Sequence, residues 1–455
     1  MKRISLFSGL AAIIVALLIL LGNDKPNNGK DPIEAIVKRL EKLDKQKDKD
    51  DHKKEENLYF KRLATFPVFL NSDIDNETSA EIVSATEDGM TLVYTDSPLE
   101  VLGFVDISDP ANPQADGIIE LGGEPTSVTV VANYALACVN TSESYTNPSG
   151  HLAVIDLGSR TIIREIDLGG QPDAIAASPD HAYAGVIIEN ERDEDLGDGV
   201  PPQAPSGYVV IVDLLGNVNN WTTRIVNLDG VAELFPEDAE PEFIDINNKN
   251  IAAVSLQENN HIVLIDLATG YIVNDFSAGS VNLTNIDTEE NDLIELNSAL
   301  EGLVREPDAL TWIGNKRIAT ANEGDLNGGS RGFSIFNKKG NVRFDSGNND
   351  DHLMVMIGHY PEDRSENKGN EAEGIEYGQY GNDHLLFVGS ERSSVISVYD
   401  VSDEKHEDPR FIQVLPAGAA PEGILALPQR NLFIVASEED NRGDKLRSSI
   451  TIYSR

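Results

Sequence analysis

Residues 240–267 read EPEFIDINNKNIAAVSLQENNHIVLIDL. Two acids flank a proline, an apolar run follows, and NNKN turns the chain. A second apolar run ends on an acid, and a third closes the unit. Short apolar runs bounded by Asn- and Asp-rich turns predict buried strands. The unit is one of seven. Its first part, a Pro or Ala with an acid ahead of a strand, recurs as AEIV at 80–83, PTSV at 125–128, PDAI at 172–175, PEFI at 241–244, PDAL at 307–310, AEGI at 372–375 and PEGI at 421–424. At the end of each following strand stands a second polar group: YTDS, NTSE, IENE, LQEN, ANEG, GSER and ASEE. A third strand comes after each (LGFVDI, HLAVIDL, YVVIVDL, HIVLIDL, GFSIF, VISVYD, SITIY), and the stretch before the next unit supplies a fourth.

Seven units of four short strands predict an all-β, seven-bladed β-propeller over residues 63–455. A β-sandwich has no use for seven copies of one unit, and a parallel β-helix has far shorter coils. The seventh unit has no fourth strand of its own. LATFPVFL, residues 63–70, is expected to join it as the outermost strand and close the ring. Pro67 fits an outer edge, where a missing N–H is tolerated. The longest insertions fall at 191–206, 277–304 and 345–370, and DLIELNSALEGL at 292–303 is expected to be a short helix.

The chain has 455 residues, 40% apolar and 25% charged, with a net charge of −41. Residues 1–62 hold 14 basic and 10 acidic side chains, while 22 basic and 67 acidic ones give residues 63–455 a net charge of −45. A body this acidic repels phosphate backbones, which argues against nucleic acid and for cations as partners. Lys2 and Arg3 precede ISLFSGLAAIIVALLILLG, residues 4–22, which carry no charge. A helix of that length matches a bilayer core. Residues 1–22 are expected to be an uncleaved signal anchor, with a cleaved signal peptide as the alternative; either places the body outside the cytoplasm, tethered to the membrane or secreted. Residues 23–62 predict a short amphipathic helix and a charged stalk. Cys138, the one cysteine, lies in the apolar run YALACVN and reads as a buried small residue.

In a propeller the first strand of each blade lines the channel, so the start of that strand and the end of the next lie on one face. Glu81, Asp173, Glu242, Asp308, Glu373 and Glu422 then form an inner ring, with Thr126 in the seventh place. Asp96, Glu143, Glu189, Glu258, Glu323, Glu391 and Glu438 form a second, and Glu124, Glu240, Glu306 and Glu371 a further layer. Crowded carboxylates need N–H donors and arginines, protons, or a bound cation. Hard oxygen ligands in a ring favour Ca2+, then Mg2+. The loop GHYPEDRSENKGNEAEG, residues 358–374, brings His359, Arg364 and Lys368, and TANEGDLNGGSRGFSIF brings Arg331. These groups can grip an anionic ligand or neutralise the acids. No H-E-x-x-H or P-loop pattern is present.

The motifs ISDPANP, EPEFIDIN, REPDALTWI, TANEGDLNGGSRGFSIF, GHYPEDRSENKGNEAEG and LFVGSERSSVISVYD resemble the choice-of-anchor I family of secreted or surface-attached bacterial β-propellers, some of which carry the name alkaline phosphatase. The resemblance covers about residues 64–455 and implies a propeller in an extracytoplasmic place. Two functions follow as expectations. One is a membrane-tethered, cation-stabilised module that binds a surface protein, a glycan or another ligand. The other is a metal-dependent phosphoesterase, with Glu323, Glu373 or Glu258 as base and Arg331, Arg364 and Lys368 holding the phosphate.

Overall fold

A computed structural model describes residues 59–197, 199–403, 408–441 and 446–455. Seven four-stranded antiparallel sheets follow one another along the chain. In blade four the order from the axis outward is Pro241–Ile246, Ile251–Leu256, His261–Asp266 and Tyr271–Ser277. The inner strand of each blade touches the inner strand of the next, and the seventh touches the first, so the ring is closed.

The sheets stand face to face, which explains the composition of the middle strands. Among the described residues, seven apolar clusters lie one between each pair of neighbouring blades, and a small eighth packs Met354 and Tyr360 against Val395. A strand covered on both faces has no polar side, hence IAAVSL and HIVLID are apolar over most of their length, without alternation. Outer strands are covered on one side only and alternate, as Tyr271–Ser277 does between exposed and half-buried positions. The single cysteine, Cys138, is fully buried in one of these clusters.

Blade seven is made from both ends of the propeller. Pro421–Leu427, Leu432–Ser437 and Ser449–Ser454 are joined by Lys61–Pro67, which pairs antiparallel with Ser449–Ser454 as the outermost strand. Pro67 ends that strand opposite Ser449. The pairing starts two residues before the expected boundary at residue 63. Phe60 is the reason: it is buried edge-on against Tyr380, Phe387 and Phe433, and its backbone exchanges hydrogen bonds with the Gln413 amide. The expected membrane helix, and the stalk up to residue 58, lie outside the described residues. Among the described residues, no helix is long and apolar enough to cross a membrane.

The insertions build one wall of the upper face, the face that carries the starts of the inner strands. Ser280–Ile286 pairs with Ser298–Val304 as a separate two-stranded sheet, so residues 292–303 form a turn and a strand instead of the expected helix. The stretch contains Asn297, Ser298 and Gly302, poor helix formers, and a partner strand supplies its hydrogen bonds. The helix of this region is Asn349–Ile357, ended by Gly358 in the left-handed conformation.

Arg331 stitches these pieces together. Expected as a ligand-gripping residue, it is only 1% exposed. Its guanidinium donates to the Asp287, Ser365 and Asn367 carbonyls and reaches the buried Asp351 carboxylate of the helix at 3.4 Å. A planar fork with several donors suits this bridging of backbone carbonyls.

Two outcomes test this architecture. Phe66, 1% exposed and packed in the cluster between blades seven and one, carries ring closure; Phe66→Ala should destabilise the protein by about 3–5 kcal/mol in denaturant unfolding. Arg331→Met strands Asp351 as a buried, unpaired charge; it should cost about 3–5 kcal/mol and raise amide hydrogen exchange in residues 358–371 ahead of the blades.

Candidate functional site at the axial mouth

The acids of the inner ring are aimed by a repeated backbone irregularity. In blades three, four, six and seven the pairing of the inner strand skips from Pro172 to Ile175, Pro241 to Ile244, Ala372 to Ile375 and Pro421 to Ile424. The skipped positions hold Asp173, Glu242, Glu373 and Glu422. Blade two makes the same shift around Thr126. A bulge frees a residue from the ladder and re-aims its side chain; here it turns a carboxylate toward the axis in each of four blades, while Glu81 and Asp308 stand just ahead of Val83–Ala85 and Leu310–Ile313.

Thr126, Asp173, Glu242, Asp308, Glu373 and Glu422 line one axial cavity of about 350 Å³. Glu81 belongs to the same ring: its charge is felt by Asp173 and Glu422, and Ser97 donates to it. Burial, then repulsion from like charges, raises Glu242, Glu373 and Glu422 well above the ordinary carboxylate range. Asp308 is raised well above it too, by burial and then by Glu323, although Lys368 opposes. Glu81 and Asp173 are pushed up to about 7, again chiefly by burial. The Oε2 atom of Glu373 is buried without a hydrogen-bond partner.

The second ring is only partly drawn in. Asp96 turns away to accept the Ser79 N–H, and Glu143 is exposed beside Asn147. Glu189, Glu258, Glu323, Glu391 and Glu438 do press on the inner carboxylates. Glu258 is 3% exposed, with one oxygen held by Arg192 and the other unpartnered. Burial pushes it up to about 8 against the pull of Arg192.

Cationic side chains answer the acids at blades five and six. Glu371, fully buried and with φ at +49°, accepts Arg364 Nε at 2.5 Å and Arg392 Nε at 2.9 Å. A non-glycine residue in that backbone region is strained, a common mark of sites under functional demand. Lys368 donates to Glu323 at 2.8 Å, and Gln257 donates to its other oxygen. Glu323, Glu371 and Glu391 each bring a carboxylate oxygen to within 4.8 Å of the others. Glu306, in the same left-handed conformation, clamps the 323–329 loop by accepting the Asp325 and Asn327 N–H groups.

The six inner carboxylates thus meet at one place, and Glu323, Arg364 and Lys368 stand beside them. His359 is exposed and bonded to the Ser393 carbonyl. Arg331 is inside the wall. Glu371 was expected in the further layer of acids, though not as the hub of two arginines; Asp245 and Glu376, deeper in the same cavity, were not singled out from sequence. The recurrence of Glu before four of the seven Pro- or Ala-led strands was the signal for Glu371; Asp245 and Glu376 lie within apolar strands and left none.

Solved structures share the fold at low identity. WD40 repeats of RRP9 match with a TM-score of 0.57 and 7% identity over 87% of this chain and 97% of that one. U3-55K gives 0.55 and 8% over 87% and 98%. Hydrazine synthase of Kuenenia stuttgartiensis gives 0.50 and 15% over 83% and 96%. At such identity the likeness concerns the propeller alone. No curated protein matches the chain. The choice-of-anchor I domain profile matches residues 81–328 and 327–404, within the ring and its acidic mouth, and the chain belongs to the choice-of-anchor I family.

Proposed function

We propose that this propeller is a surface binding module whose axial ring holds a divalent cation, Ca2+ ahead of Mg2+. Membership of the family suggests a cell-surface or extracytoplasmic protein. The observation that carries the cation is the convergence of ring carboxylates from five blades on one cavity, with Glu81 of a sixth blade pressing on Asp173 and Glu422 and with Glu373 Oε2 lacking any donor. The donor set fits the group: all hard oxygen, several carboxylates deep, and without a cationic side chain inside the ring except through Lys368 at its edge. In this reading Asp308 and Glu373 hold the ion and the remaining acids tune its affinity. A protein, glycan or phosphorylated ligand then meets the mouth, where His359, Arg364 and Lys368 are within reach of it, while a membrane tether through residues 1–22 keeps the module at the surface.

A second reading rests on the trio of Glu323, Glu371 and Glu391. Carboxylates this close, bordered by Lys368, Arg364 and Arg392, have the make-up of a metal-assisted phosphoesterase site. Glu323 or Glu373 would serve as base there. Glu258, salt-bridged to Arg192 and almost wholly buried, is a weaker base than sequence suggested.

Metal-free protein at pH 7.5, given CaCl2 at a hundredfold over its Kd, should gain about 2.7 kcal/mol, read as a rise in Tm. The Asp308→Asn/Glu373→Gln variant should lose that gain and be more stable than the wild type without metal. The absence of any calcium-dependent shift would end the first reading. The pH dependence has a definite sign. Acids whose folded-state pKa is raised favour folding while protonated, and that contribution is lost as pH climbs from the ordinary carboxylate range to about 7–8, the range to which Glu81, Asp173 and Glu258 are pushed. In chelator, Tm should therefore fall between pH 5 and pH 8, and calcium should restore it at pH 8. Hydrolysis of p-nitrophenyl phosphate that depends on added metal and is lost in Glu323→Gln is the outcome expected of the second reading; no turnover from pH 6 to pH 10 removes it.

A further inference from the structure

The propeller is poor in lysine. Residues 63–455 contain seven, and four of them, Lys249, Lys316, Lys338 and Lys339, border two adjoining clefts on the lower face of blades four and five. This face carries the turns from first to second and from third to fourth strands, opposite the acidic mouth. Lys249 sits in the first such turn of blade four, and Lys338 and Lys339 in the outer turn of blade five. All three are exposed, and among the described residues no carboxylate pairs with them. The nearby acids are engaged elsewhere: Asp245 accepts the Trp312 N–H, Asp266 the Thr269 N–H, and Asp180 the Asn250 amide. In a body of net charge −45 such a cluster is a local reversal of field.

The cleft between these lysines holds about 390 Å³ and has an apolar floor that includes Ile251, Val273 and Trp312. Trp312 is 4% exposed, and its indole N–H has no acceptor. Beside it, Asn315 Oδ1 and Arg317 Nη1 are also buried without partners. Leaving one such group unsatisfied costs about 1–3 kcal/mol, and native proteins rarely leave them so unless something else supplies the partner. Three lie around one pair of clefts.

We propose that this lower cleft is a binding site for a compact amphiphilic anion, one carboxylate, sulfonate or phosphate group joined to an aliphatic or aromatic body. The lysines of two blades supply the charge, the apolar floor takes the body, and the Trp312 indole N–H donates a directed hydrogen bond to the anionic group. The site is independent of the axial cation. It lies on the other face and uses no residue of the ring.

The test uses the full chain in chelator, so that the fate of the calcium reading does not touch it. The probe is 8-anilinonaphthalene-1-sulfonate, followed by its own fluorescence and by quenching of tryptophan emission. Saturable one-to-one binding is expected, weakened at least tenfold in Lys249→Gln/Lys338→Gln/Lys339→Gln. These exposed positions should leave circular dichroism and Tm unchanged. The uncharged N-phenyl-1-naphthylamine should bind at least tenfold more weakly, and inorganic phosphate should compete only feebly. Trp312→Phe should abolish the quenching and weaken binding several-fold. Equal affinity in the triple lysine variant, equal affinity for the neutral dye, competition by phosphate as strong as by the probe, or no saturable binding at all would each overturn the proposal.

Discussion

The hydrogen bonds between Lys61–Pro67 and Ser449–Ser454 hold the ring shut, and the rest of the molecule depends on them. A propeller blade is covered on both faces only when it has a neighbour on each side. An open ring would leave the apolar faces of blades one and seven in water. Phe66 and Val68, arriving with the closing strand, fill the cluster that those two blades share, and Phe60 does the same between blades six and seven. Closure therefore converts seven weak units into one cooperative structure.

Closure also creates the electrostatic problem at the axis. One carboxylate from each of six blades is harmless on an isolated sheet. Brought round to one mouth, five of them into a single cavity, they lose water and repel one another, which is why their pKa values rise together. The molecule relieves this in places. Thr126 replaces an acid in blade two and donates to the Pro172 carbonyl. Lys368, Arg364 and Arg392 answer the acids of blades five and six. Blades three, four and seven have less relief on the axis, and the bulges that aim their acids inward are kept all the same. A bulge repeated at the same place in several blades re-aims the same side chain each time.

The two faces of the disc differ in character. Above, insertions between blades raise a wall around the acidic mouth, with Arg331 tying four segments at its base. Below, the turns are short, and blades four and five gather lysines over a partly apolar cleft. The two faces thus present opposite charge, an acid-lined mouth on one side and a basic cleft on the other.

The sequence alone determined the blade count, the four-strand unit, the closing strand and the identity of the axial acids. Each of these follows from a local pattern repeated seven times: apolar runs of strand length, turn residues between them, and at one fixed place an acid in six of the seven units. The fate of individual charged groups was decided only by the tertiary structure. Arg331 became a buried staple, Glu258 a partner of Arg192, Glu371 the hub of two arginines, and residues 298–304 a strand in place of a helix. Those outcomes depend on which insertion meets which across the ring, contacts between residues tens of positions apart that no local period encodes. The lower cleft has the same origin: its lysines lie some ninety residues apart in the chain and become neighbours because blade five packs against blade four.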